Sequence, residues 1–182
     1  MNDHEGDWEG VQLFFRMQGG RPIEPPEAIC YQGHHSRITK PWLHGDVQRT
    51  GSHPHVYVAA GSHASYPERK PYTIMALYNL VDHATGDGLT LSHDDWAGRI
   101  DLEREGWVSG FRGSWGTRYW LSLRGLRSLL GAGGGANDRL DAGELALPGV
   151  SAPRGPRYDD EGRERATWAD ATTFAGLSEL RL

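Results

Sequence analysis

Apolar residues that recur at every second position give a chain one face to bury, and that pattern opens this sequence. Val11, Leu13 and Phe15 share one parity, which predicts a strand over Asp7 to Met17 with that face on a core. Asp7 and Glu9 fall on the same parity. Two carboxylates at i and i+2 lie a few ångströms apart at the core's edge, where repulsion raises one pKa unless a cation or an arginine sits between them. His4 precedes them across Gly6, and a glycine there lets the backbone curl until imidazole and carboxylates converge on one point, as a divalent cation requires. Solvated residues at a strand entrance, or a structural ion-pair network, would account for the same acids.

The rest of the chain favours sheet over helix. Seven Trp and 25 Gly describe aromatic strands separated by glycine-rich turns, and long amphipathic helical patterns are scarce. Gly19-Gly20-Arg21-Pro22 ends the first strand, Pro25-Pro26 keeps the next residues irregular, and Ala28 to Gln32 reads as a second strand with Ile29 and Cys30 packed inside it. Val56 to Ala60 reads as a buried strand. Tyr72 to Val81 fits a strand or a short helix, and Asp82 to Gly88 a turn-rich loop. Leu89 to Leu91 and Arg99 to Leu102 read as short strands. The aromatic and glycine alternation from Trp107 to Trp115 reads as a further strand, with Trp8, Phe14, Trp107 and Trp115 buried. Leu123, Leu126, Leu129 and Leu130 place one helix over Leu121 to Leu130. Together these predict one mainly β domain over residues 1–182, an antiparallel β-sandwich with a short helix and long loops. The abrupt entry into the first strand suggests that the domain lacks an amino-terminal segment.

Seven of the nine histidines fall between positions 4 and 63. Imidazole is both a neutral metal ligand and a proton carrier near pH 7. His34, His35 and His44 lie in a polar loop and are read as solvated; His53 and His55 flank a proline at a strand entrance. His63 stands out in Gly61-Ser62-His63-Ala64-Ser65-Tyr66, where small residues after a buried strand admit a backbone or ligand. Ser62 next to His63 is not a nucleophile and base, because adjacent strand residues point apart. The single Cys30 excludes an internal disulfide framework. A net charge of -5 without long runs gives no case for nucleic acid or an anionic membrane surface. Mean hydropathy of -0.60, with no apolar run near the ~18 residues of a membrane helix and no secretory signal read at the start, predicts a soluble, cytoplasmic protein.

His4-Glu5-Gly6-Asp7-Trp8-Glu9, His53-Pro54 with Val56-Tyr57-Val58-Ala59, Gly61 to Tyr66, Gly113-Ser114-Trp115-Gly116, Arg154-Gly155-Pro156 and Trp168 resemble the vacuolar protein sorting-associated protein 62 family, in order over most of the chain. Residues 121–150 have no counterpart and look like an insertion. That family begins well before its Asp-Trp-Glu motif, which again implies a missing front end. The motif is more distantly similar to the necrosis-inducing toxins of plant pathogens, which implies a divalent cation on a β-sandwich held by His4, Asp7 and Glu9. Gly6 stands where that motif has a second histidine, and neither secretion nor disulfides are seen here, so membrane lysis does not carry over. Mainly oxygen ligands favour calcium, magnesium or manganese, with zinc less suited. Two readings follow. One is a metal-binding protein whose cation is structural or organises a small polar ligand. The other is a metal-dependent hydrolase with His63 or His55 as proton carrier.

Overall fold

The computed structural model describes residues 8–33, 36–75, 79–95, 98, 100–117, 120–122, 144–146, 152, 154–158 and 162–180. Three antiparallel strands, β1 (Val11–Gln18), β2 (Arg21–Gly33) and β3 (Ser36–Pro41), form the largest sheet in the order β1-β2-β3. Gly19 and Gly20, at φ 58° and 77°, make the two-residue turn between β1 and β2, a conformation that suits the twist of paired strands and that other residues enter only under strain.

β2 is longer than the expected Ala28 to Gln32. Pro25 and Pro26 do not break it; the register slips there instead, with Phe14 opposite Ala28 but Arg16 opposite Ile23. Prolines cannot donate to the ladder, and the strand bulges around them rather than ending. Beyond the bulge Ala28, Ile29, Cys30 and Tyr31 are all fully buried, because both faces of the sheet are covered. Ile29 and Tyr31 pack with Trp42 and Val47, joined by Val11, Ile38 and Val56. On the other face, in the row of Gln12, Cys30 and Thr39, the C-terminal helical segment closes over the sheet. Gln12 Nε2 donates to Thr167 O (2.8 Å), Thr39 Oγ1 donates to Ala175 O (2.7 Å), and Arg37 sits over the Phe174 ring. This segment comprises α2 (Ala166–Ala169) and α3 (Ala171–Ala175) in the order of helices used below, α1 being Gly106–Gly110. Burying a side chain the size of Ile29 contributes about 1.5–3 kcal/mol.

Short antiparallel pairs surround this sheet: β4 (Arg49–Thr50) with β5 (His53–Pro54), β6 (Tyr57–Val58) with β7 (Ser65–Tyr66), and β8 (Lys70–Met75) with β9 (Leu80–Ala84). A second core of Ala59, Ala64, Tyr66 and Ala84, with Tyr57 and Tyr72 against it, shares Ile38 with the first. Gly33 makes the junction possible, since a Cβ there would lie 3.1 Å from Ala64 Cβ. The architecture among the described residues is therefore mainly antiparallel β in small separate sheets, with few short helices.

Several expected elements differ. Trp107 to Trp115 is not a strand: α1 is followed by a single bridge between Ser114 and Arg154. α1 ends at Phe111, whose backbone is extended, and the rings meet across the irregular segment that follows, Phe111 on Trp115 at 4.9 Å and Trp107 edge-on to Trp115 at 6.2 Å. Trp107 stays 40% exposed, while Trp8, Phe14 and Trp115 are half-buried. The described part of Tyr72 to Val81 lies in or beside the paired strands β8 (Lys70–Met75) and β9 (Leu80–Ala84), and Asp82 is in β9 rather than in a loop. Val56 to Ala60 contributes only β6 to a ladder, and Leu89 to Leu91 with Ile100 to Leu102 lies outside the strands. Trp120–Ser122 forms β10, paired with β11 (Glu144–Ala146), so the helix expected from Leu121 does not begin there; its remainder, and most of 121–150, falls outside the described residues.

Candidate polar centre at the entry of the first strand

The lead-in to β1 is anchored on both sides of Glu9. Trp8 packs on Trp107 and Trp115 with centroids 6.0 and 5.8 Å apart, and Gly10 O accepts from Gln32 N–H at 3.1 Å. Aromatic pairs of this kind add about 0.5–1.5 kcal/mol beyond area burial. Glu9 is thereby held half-buried, and its charge bears on two groups from distant parts of the chain, Tyr66 and Arg165.

Tyr66 is brought in by the β6–β7 turn and stacks on Tyr72, ring centroids 3.8 Å apart. Its hydroxyl donates to Asp82 Oδ2 at 2.6 Å, and both residues are only 4% exposed. Burial pushes the Tyr66 phenol well above its usual range, and the hydrogen bond to Asp82 and the charges of Asp82 and Glu9 push it further. Tyr66 thus stays a proton donor at neutral pH. Arg165 enters from the turn before α2. Burial lowers its pKa and Glu9 acts against that shift, so Glu9 supplies part of the compensation a desolvated guanidinium needs. Two carboxylates, a phenol and an arginine from four separate stretches are in this way electrostatically coupled.

Of the residues expected to bind a cation, Glu9 belongs to this centre, while His4 and Asp7 lie outside the described residues. Among the described residues no three His, Cys, Asp or Glu side chains are grouped to hold a metal. His55 is half-buried and already engaged: its Nε2 lies 2.8 Å from Thr50 Oγ1, its N–H donates to Gln48 O, and its carbonyl accepts from the Tyr31 hydroxyl. His63 is exposed and holds φ at 60°, a left-handed conformation unusual for a residue with a side chain. His44 Nδ1 accepts from Asp46 N–H at 3.2 Å, a loop-ordering role. His34 and His35 lie outside the described residues.

Sequence reasoning missed Tyr66, Asp82 and Arg165. Asp82 alternates with Ala84 at the inward positions of β9, a signal that required the strand to be recognised first. Arg165 carries no local pattern of its own. Compared with known proteins, the chain matches no family model, no curated protein and no solved structure.

Proposed function

We propose that this chain is a metal-binding protein of β-sandwich type, in which His4, Asp7 and Glu9 hold a divalent cation, calcium, magnesium or manganese, that organises binding of a small polar ligand. The observation that carries the reading is the convergence of the Glu9 and Asp82 charges on the buried Tyr66 hydroxyl. The charges of Glu9 and Asp82 both bear on Tyr66, with Arg165 offsetting part of that of Glu9, and a cation held by Glu9 and by Asp7 two residues before it would relieve the remainder. The donor chemistry fits a hard or borderline ion: carboxylate oxygens with one imidazole. A bound cation would supply charge neutralisation and an oriented coordination position, while Trp8 and Gly10 fix the Glu9 backbone and Tyr66 remains a neutral donor beside it.

The cation set itself is what the more distant likeness of the His4 to Glu9 stretch to the necrosis-inducing toxins implies. A metal-dependent hydrolase is the second reading, favoured by one observation, the left-handed backbone of His63, since such strain concentrates at working sites.

Thermal unfolding with each cation tests the proposal. Binding stabilises by about 2.7 kcal/mol at a hundredfold excess over Kd, a rise of about 5–10 °C for a chain of this size. Asp7→Ala should abolish that rise and leave a folded protein. Equal responses to a chelator in wild type and Asp7→Ala would refute the assignment.

A further inference from the structure

Tyr72 and Asp82 stand directly opposite each other in the β8–β9 ladder, so their side chains leave the same face of that hairpin. Tyr66 lies across the pair. Its ring stacks on Tyr72 at a centroid separation of 3.8 Å and an interplanar angle of 15°, nearer than the ~4.5–7 Å usual for aromatic pairs. Its hydroxyl donates to Asp82 Oδ2 at 2.6 Å, and both residues are only 4% exposed. One phenol therefore has a π contact on its face and a carboxylate on its proton, both shielded from water.

These two contacts are what a phenol needs to give up an electron. A phenol that has lost an electron is a very strong acid, so the loss is favourable only where a base takes the proton in the same step. Asp82 is such a base, and a hydrogen bond to a carboxylate is strengthened where water is excluded. Tyr72 differs on both counts. Its hydroxyl donates to a backbone carbonyl, Glu68 O at 3.3 Å, which takes up no proton. The Lys70 ammonium, paired with Glu68, lies 5.2 Å from its ring centroid, and a cation on the ring face opposes removal of an electron. Tyr72 is half-buried where Tyr66 is buried. It can pass an electron outward, but the oxidised state settles on Tyr66.

We infer that Tyr66 and Asp82 form a one-electron redox site with Tyr72 as its conduit, and that it reacts with diffusible one-electron oxidants such as peroxyl radicals. An electron leaves Tyr66 across the Tyr72 ring to the oxidant, which becomes the peroxide anion. The hydroxyl proton moves along the 2.6 Å bond to Asp82 Oδ2. The products are a neutral Tyr66 phenoxyl radical and a neutral Asp82 carboxylic acid, so no new charge is left in the core. A one-electron donor reverses both movements, the electron returning to Tyr66 and the proton to its oxygen. The redox residues all lie in β7, β8 and β9, and the inference is independent of the cation reading.

Flash-quench oxidation of the whole chain by photogenerated tris(bipyridine)ruthenium(III) tests this, with optical and electron paramagnetic resonance detection separating phenoxyl from indolyl radicals. Wild type should give a phenoxyl radical whose resonance narrows when the protein carries ring-deuterated tyrosine. Tyr66→Phe should lower the phenoxyl yield about tenfold, and Asp82→Asn, which keeps an acceptor but removes the base, should slow its formation about tenfold. Tyr72→Leu should slow it severalfold by removing the stacked ring. Tyr158→Phe should change neither yield nor rate, since the guanidiniums of Arg112 and Arg157 lie 3.6 and 5.4 Å from that ring and oppose its oxidation. Wild type alone supplies a readout that no loss of stability can disturb: the rate of phenoxyl formation should not rise with buffer concentration, because Asp82 and not a buffer base takes the proton. A phenoxyl yield unchanged in Tyr66→Phe, equal rates in wild type and Asp82→Asn, a wild-type rate that climbs with buffer, or a radical found on tryptophan alone overturns the inference. An unchanged rate in Tyr72→Leu overturns the conduit.

Discussion

Tyr66→Phe removes one oxygen from the centre of the molecule and leaves the ring where it stacks on Tyr72. What changes is Asp82, which loses a donor at 2.6 Å while only 4% exposed. A hydrogen bond to a charged group contributes about 1.5–3 kcal/mol. Burial of the pair excludes water as a replacement, so a loss of about 2 kcal/mol is expected, with Tm lower by about 4–8 °C for a chain of this size. Urea unfolding at neutral pH measures it, in a cycle with Asp82→Asn and the double variant. The Asp82→Asn cost should shrink in the Tyr66→Phe background by at least about 1 kcal/mol, since the two residues share one bond. A Tyr66→Phe protein within about 0.5 kcal/mol of wild type, or strictly additive variants, would refute the claim that this bond holds the two hairpins together.

Tyr31 gives a test in alkali. Burial first, and the Tyr72 charge second, push its phenol up to about 12, with Arg49 opposing. A raised phenol stabilises fully below the ordinary value near 10 and that contribution is lost as pH climbs through about 12, so the stability margin of wild type over Tyr31→Phe should shrink across pH 10–12, as unfolding curves would show. A margin unchanged with pH would contradict the assigned burial. At the exposed His63, φ of 60° should make His63→Gly about 0.5–1 kcal/mol more stable than His63→Ala in urea unfolding. The opposite order would show that the left-handed backbone is not strained there.

The strands legible in the sequence were those whose signal is local. Alternation at Val11, Leu13 and Phe15 marks β1, but the strand begins at Val11, after Glu9, and Leu13 is left 37% exposed rather than on a core; Gly19-Gly20 marks its turn and the compact apolar run from Ala28 the buried half of β2. Trp107 to Trp115 is not legible because only its first part, Gly106–Gly110, is a single helical turn, while the rings of Phe111 and Trp115 meet in the irregular segment after it, so no one period runs through the stretch. Asp82 was read as loop because a polar residue before His83-Ala84-Thr85-Gly86 matches turn chemistry; its burial depends on Tyr66, sixteen positions away. Arg165 was invisible for a similar reason. Its environment is made by Glu9 and by two carbonyls of a turn that only a folded chain assembles.

The bulge opposite Phe15 works as a register buffer. Ala28 to Tyr31 are gripped on both faces by different partners, an aromatic core on one and the C-terminal helices on the other, so a slip by a single residue would drive the Tyr31 ring into the space of Cys30. Residues 24–27 take up slack between that clamped stretch and the exposed outer half of the hairpin. The outer half can consequently gain or lose residues at its tip without passing the offset inward, which makes it the part of this sheet where length is free to vary while the interior is held fixed.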